Sequence, residues 1–129
     1  MKRKVKWGIL STAGIATRRV LPAMLQCEHT ELAAIGSRSF EKAKQVAKEF
    51  GIPKAYGSYD ELLADREIEV IYNPLPNHLH AEWTIRAASR GKNVLCEKPL
   101  ARNVAEARRI REARDEHNVK IEEAFMIVT

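Results

Sequence analysis

Three stretches of this sequence combine residue types that can do chemistry. In LCEKPLA an acid, a base and a proline, Glu97, Lys98 and Pro99, follow the apolar run opened by GKNV. A buried strand seldom ends in an adjacent acid and base stiffened by proline unless a side chain is being positioned there. In LSTAGIA the residues Ser11, Thr12, Ala13, Gly14 and Ile15 make a small-residue loop that leads into a helical pattern. A helix N-terminus offers free N–H groups and a positive dipole end, both suited to phosphate. Ser11 and Thr12 add hydroxyl donors. In GSRSF the residues Ser37 and Arg38 stand after another apolar run, and Lys42 follows one helical turn later.

Each stretch has a bland reading beside the chemical one. The dinucleotide fingerprint is G-x-G-x-x-G or A. Here Ser11, Ala13 and Ala16 fill the three glycine places and Gly14 is displaced by one. Ala13 adds a methyl where backbone should approach a pyrophosphate, so on this loop alone a plain turn between strand and helix stays open. After its second strand an NAD-binding chain usually places Asp or Glu against the ribose 2′-hydroxyl. This chain has Gly36, Ser37, Arg38 and Ser39 there, and its nearest acid, Glu41, is already inside the next helix. Arg38 and Ser37 can bond a 2′-phosphate, which a carboxylate would repel. The position favours NADP over NAD; a solvated arginine beside an N-capping serine is the alternative for either residue alone. His78 and His80 are two apart and share no helix face, which argues against a zinc pair.

The elements that must hold these loops follow from periodicity. Short apolar runs in VKWGIL, ELAAIGS, KAYG, EVIYN, NVLCE and VKIEEAFMIVT read as strands. Between them lie helical patterns. GIATRRVLPAMLQ carries a stripe of Ile15, Val20, Leu21, Met24 and Leu25, with a bend expected at Pro22. SFEKAKQVAKEFG has Ser39 as N-cap, apolar Phe40, Ala43, Val46, Ala47 and Phe50, and Gly51 as its stop. SYDELLAD opens on a capping box, Ser58 and Glu61. HLHAEWTIRAASRG, with Asn77 as its expected cap, ends at Gly91. NVAEARRIREARDEHN is the last. Strand and helix alternating in this way predict an α/β fold: a doubly wound parallel sheet of the Rossmann type, order 3-2-1-4-5-6, with helices on both faces. Ligands on such sheets bind beyond the carboxyl ends of the strands, where all three stretches fall.

With 129 residues, 45% hydrophobic and 30% charged, the chain suits one globular domain over 1–129. No apolar run approaches the ~20 residues of a membrane span. The basic, then apolar start MKRKVKWGIL is too short in its apolar part for a signal peptide and reads as the first strand, so a cytoplasmic protein is expected. The net charge of +5 comes from mixed signs. EARRIREARDEHN alternates them as a solvated helix face does, which argues against nucleic acid. Cys27 and Cys96 form no CxxC motif and read as reduced, semi-buried thiols.

Taken in order, WGILSTAGIA, GSRS, NPLPNHLHAEW, GKNVLCEKPLA and EEAFM resemble the nucleotide-binding half of the glucose-fructose oxidoreductase, inositol dehydrogenase and MocA family, over almost the whole chain. The resemblance implies an NADP-using oxidoreductase of sugars or polyols. It implies that Lys98 sits beside nicotinamide and substrate and assists proton transfer during hydride transfer. Glu97 would orient Lys98 or the cofactor ribose, and Pro74, Leu75, Asn77 and His80 would line the nicotinamide end. Two departures stand out. The family has a second, α+β domain that completes the substrate pocket and has no counterpart here. Members also commonly continue EAFM with Tyr-Arg, where this chain has Ile127, Val128 and Thr129. The expectation is an isolated dinucleotide-binding domain that is inactive alone and forms a homodimer through its uncovered surface. A non-catalytic nucleotide-binding module or an engineered fold fragment is the alternative.

Overall fold

Alternating short apolar runs and amphipathic stretches become strands and helices in turn. A computed structural model describes residues 4–12 and 15–124, with backbone alone for 15–18. In chain order the elements are β1 (Val5–Leu10), α1 (Ile15–Leu25), β2 (Thr30–Gly36), α2 (Phe40–Phe50), β3 (Lys54–Tyr56), α3 (Tyr59–Leu63), β4 (Val70–Asn73), α4 (His80–Ser89), β5 (Asn93–Cys96), α5 (Val104–His117) and β6 (Ile121–Glu123), with a 3₁₀ turn at Asn77–Leu79 before α4. The strands form one six-stranded sheet in the order β3-β2-β1-β4-β5-β6. Every neighbouring pair is parallel. This is the doubly wound Rossmann arrangement.

Both sheet faces are covered, which is why the strands read as continuous apolar runs and not as alternating ones. Successive residues still divide between the faces. Leu10, Ala34 and Ile71 pack with Leu62 and Ala87 on one side. Ile9, Ile35 and Tyr72 pack with Leu21, Ala43 and Val46 on the other. Each fully buried Ile or Leu side chain contributes about 1.5–3 kcal/mol.

The helix ends follow local chemistry. Ser39 accepts from the Lys42 N–H at 3.4 Å, and Gly51 closes α2 at φ 70°. Asn103 caps α5 by accepting from the Glu106 N–H at 2.8 Å. Ser58 accepts from the Glu61 N–H at 3.1 Å, and its hydroxyl donates to the Glu61 carboxylate at 3.2 Å. The two side chains of the expected capping box thus bond each other.

Several expectations need correction. Asn77 does not cap α4: the helix has no side-chain cap, and Asn77 lies inside the 3₁₀ turn, giving its carbonyl to the His80 N–H. Leu25 and Phe40 were placed on apolar stripes, yet they are 48% and 49% exposed. Each is a terminal residue of its helix, α1 and α2 respectively. The Phe40 ring instead lies under the Lys44 ammonium at 5.3 Å. The thiols are not alike, since Cys27 is exposed and Cys96 buried. β6 ends at Glu123; Phe125 and the residues after it lie outside the described residues. Among the described residues no helix is long and apolar enough to cross a membrane.

Candidate functional site

A parallel sheet brings all its strand C-termini to one edge. That edge carries Ser11, Ser37, Asn73, Glu97 and Glu123 at or just beyond the ends of β1, β2, β4, β5 and β6. The strand order reverses between β1 and β4, the switch point where such sheets take ligands.

On the β1–β2 side, Ser11 is 7% exposed and adopts φ 104°. That is a backbone shape natural to glycine, at the first glycine place of the fingerprint. Holding a serine there costs about 1–3 kcal/mol. Its N–H donates to the Gly36 carbonyl at 2.7 Å, tying the loop to the end of β2. Thr12 Oγ1 lies 3.5 Å from Ser37 Oγ, joining the first and second loops. Ser37 is 6% exposed, and its hydroxyl oxygen accepts from the Ser39 N–H at 3.1 Å. Arg38 and Lys42 are exposed, and no described residue bonds the side chain of either. Ala13 and Gly14 lie outside the described residues; Ile15 is the first residue of α1.

On the β4–β5 side the loops form one bonded block. Asn73 is fully buried. Its amide donates to the His80 carbonyl at 3.2 Å and to Thr84 Oγ1 at 3.1 Å, and its oxygen accepts from the Leu75 N–H at 3.2 Å. The Glu97 N–H donates to the Asn73 carbonyl at 3.0 Å. Tyr72 Oη donates to Glu97 Oε1. Burial first, and the Glu97 carboxylate second, push the Tyr72 phenol far above its ordinary range, so it stays protonated and donates to the carboxylate. His80 is 1% exposed, with Nδ1 2.6 Å from the Pro99 carbonyl and Nε2 bonded to the Leu75 carbonyl. The Leu100 N–H donates to Glu123 Oε2 at 2.8 Å. Burial raises the Cys96 thiol to about 12, which removes it as a nucleophile.

Lys98 is exposed at the tip of this block, and no described residue bonds its ammonium. Its peptide bond to Pro99 is cis. Pro74 is half-buried, Leu75 is 3% exposed, and Asn77 is exposed. The structure therefore gathers Glu97, Lys98, Pro74, Leu75 and His80 on one side and Ser11, Thr12, Ser37, Arg38 and Lys42 on the other. His80 enters through its hydrogen bonds and not through an open face. Tyr72, Asn73, Thr84 and Glu123 join this bonded block and were not picked out from the sequence. The available signal was a tyrosine and an asparagine closing the otherwise aliphatic VIYN. Among the described residues no group of His, Cys, Asp and Glu is arranged to hold a metal ion.

The profile of the oxidoreductase family with a NAD-binding Rossmann fold, GFO_IDH_MocA, matches residues 5–125. The chain belongs to this family. Its relatives include an uncharacterised oxidoreductase of Rhizobium meliloti, 54% identical over 95% of this chain, and a D-xylose 1-dehydrogenase (NADP(+)) of Haloferax volcanii, 50% identical over 93%. The chain spans 37% of the length of each. Among solved structures, the 3-ketoreductase KijD10 of Actinomadura kijaniata in complex with NADP superposes with a TM-score of 0.91 at 38% identity. That match covers 96% of this chain and 39% of KijD10.

Proposed function

We propose that this chain is the NADP(H)-binding domain of an oxidoreductase that moves hydride between nicotinamide and a sugar or polyol. The observation that carries the reading is the end of β2. There Ser37, Arg38 and Lys42 gather a hydroxyl and two cations that no described residue pairs, with no carboxylate among residues 36–40. Such a set suits a phosphate on the ribose 2′-oxygen and gives a bare 2′-hydroxyl little to bond. The dehydrogenase of Haloferax volcanii, which is NADP-dependent by name, supports the same direction.

The strand-end loops fit the cofactor. The β1 loop leads into the N-terminus of α1, where free N–H groups favour a pyrophosphate. NADP, when bound, supplies a nicotinamide that gives or takes hydride. Lys98, held at the tip of a pinned loop, exchanges a proton between Nζ and the substrate hydroxyl or carbonyl oxygen. Glu97 orients the ribose or Lys98, and Pro74, Leu75, Asn77 and His80 shape the wall behind them. The substrate is enclosed by a second domain of the family, so the 129 residues alone bind NADP and turn over no aldose. The reading places the protein in the cytoplasm, in keeping with free thiols at Cys27 and Cys96.

Calorimetric titration with NADP and NAD tests the assignment. NADP binds more tightly, and Arg38→Ala weakens it by about 1–3 kcal/mol, the worth of a charge-assisted bond, while NAD is nearly unchanged. Equal loss for both cofactors would sink the assignment.

A further inference from the structure

We propose that Tyr72 is a positioning residue that fixes the Glu97 carboxylate so that its second oxygen accepts from a hydroxyl of the nicotinamide-side ribose. The proposal rests on the NADP reading above. It begins from the unequal use of the two carboxylate oxygens. Tyr72 Oη donates to Oε1, while no described residue reaches Oε2. The backbone on either side is also held. The Glu97 N–H bonds the Asn73 carbonyl at 3.0 Å, and the Cys96 thiol donates to the Glu97 carbonyl at 3.4 Å. Glu97 is half-buried and Tyr72 is 1% exposed, so the donor is part of the core and cannot follow the acid into solvent. A half-buried carboxylate with one oxygen fixed offers the other as an acceptor in one direction.

The occupant follows from charge and position. An ionised carboxylate repels phosphate and accepts from hydroxyls. The cationic set lies at the end of β2, and Glu97 lies just past β5, with β1 and β4 between them. Three strand spacings of about 4.8 Å separate the two ends by roughly 14 Å. A dinucleotide with its 2′-phosphate at Arg38 and its pyrophosphate at the switch point therefore brings its other ribose toward Glu97. A tyrosine is suited to the task because its hydroxyl stays protonated and can only donate to the acid.

Tyr72→Phe keeps the ring and the packing and removes the donor. The test uses the 129-residue chain and two ligands, NADP and adenosine 2′,5′-bisphosphate, which carries the phosphorylated ribose but lacks the second one. The expected result is NADP binding weakened about five- to tenfold, the range of one lost hydrogen bond, with bisphosphate binding unchanged. Glu97→Ala shows the same selectivity, and Tyr72→Phe added to Glu97→Ala brings no further loss. If Tyr72→Phe fails to fold by circular dichroism, Glu97→Gln, which leaves the core intact, takes its place and is expected to give the same selective loss. Equal weakening of both ligands, no weakening of NADP, or additive losses in the double variant would overturn the positioning role. Failure of the unaltered chain to bind either ligand would overturn the NADP reading itself, and the proposal with it.

Discussion

His80 joins two strand-end loops, and its removal should be costly. The ring is 1% exposed. It meets the Pro99 carbonyl at 2.6 Å through Nδ1 and the Leu75 carbonyl through Nε2. Both partners are acceptors, so a neutral imidazole satisfies one of them and an imidazolium both. His80→Ala therefore removes one or two hydrogen bonds, at about 1 kcal/mol each. It also leaves a cavity the size of the ring, and partial relaxation around such a cavity typically leaves a loss of about 2 kcal/mol. The sum is about 3–4 kcal/mol, a large share of the 5–15 kcal/mol typical of a folded domain. Urea unfolding of the two proteins measures it as a lower midpoint at unchanged slope. His80→Asn, which keeps a side-chain N–H, should recover part of the loss. NADP affinity should fall in His80→Ala as well, because the Pro99 carbonyl beside Lys98 loses its tether. A destabilisation below about 1 kcal/mol would show that the two loops do not depend on the ring, and the view of His80 as their common pin would be wrong.

Two further outcomes are expected. Burial raises the Asp65 carboxyl, but bonds from Tyr56, the Glu67 N–H and Lys54 outweigh it and leave it below its ordinary 3.8. A depressed folded value contributes stability above pH 3.8 that is lost as pH falls through the folded value, so Asp65→Asn should flatten the acid limb of stability against pH in urea titrations; an unchanged limb would contradict this. Among the described residues β6 is an outer strand paired with β5 alone, and an unpaired strand edge favours association. The chain should sediment as a homodimer at high concentration, and a monomer there would refute it.

The fold was legible because its determinants are local and repeated. Strand, cap and stop each leave a mark in sequence: GKNV before Cys96, Ser39 before α2, Gly51 after it. The helix ends that misled did so for equally local reasons. Asn77 has the residue type of a cap but follows Pro76, and the chain there winds as a 3₁₀ turn whose carbonyl, not its side chain, meets the next N–H. Leu25 and Phe40 fit a helical stripe by spacing, but position along the helix decides whether the sheet lies beneath a residue, and spacing does not report that.

The site was legible in a different way. Residue type and place at a strand end were enough to name Ser37, Arg38, Glu97 and Lys98 as candidates. The hydrogen-bond partners around Glu97 and Lys98 were not visible, because bonds between distant segments leave no periodicity. Glu97 and Tyr72 are 25 residues apart, His80 and Pro99 are 19 apart, and Leu100 and Glu123 are 23 apart. Each pair joins two segments far apart in the chain, VIYNPLPNHLH with CEKPL or CEKPL with EEA. Their co-occurrence has a physical reason once the bonds are seen. A strand-end lysine in solvent is a flexible cation. The same lysine between Glu97, held by Tyr72 and the Asn73 carbonyl, and Pro99, held by His80, has its backbone fixed on both sides while its ammonium stays free. Fixing the backbone and freeing the head group is what the proton transfer proposed for Lys98 requires, since its reach is then set by its own side chain and not by the wandering of a loop.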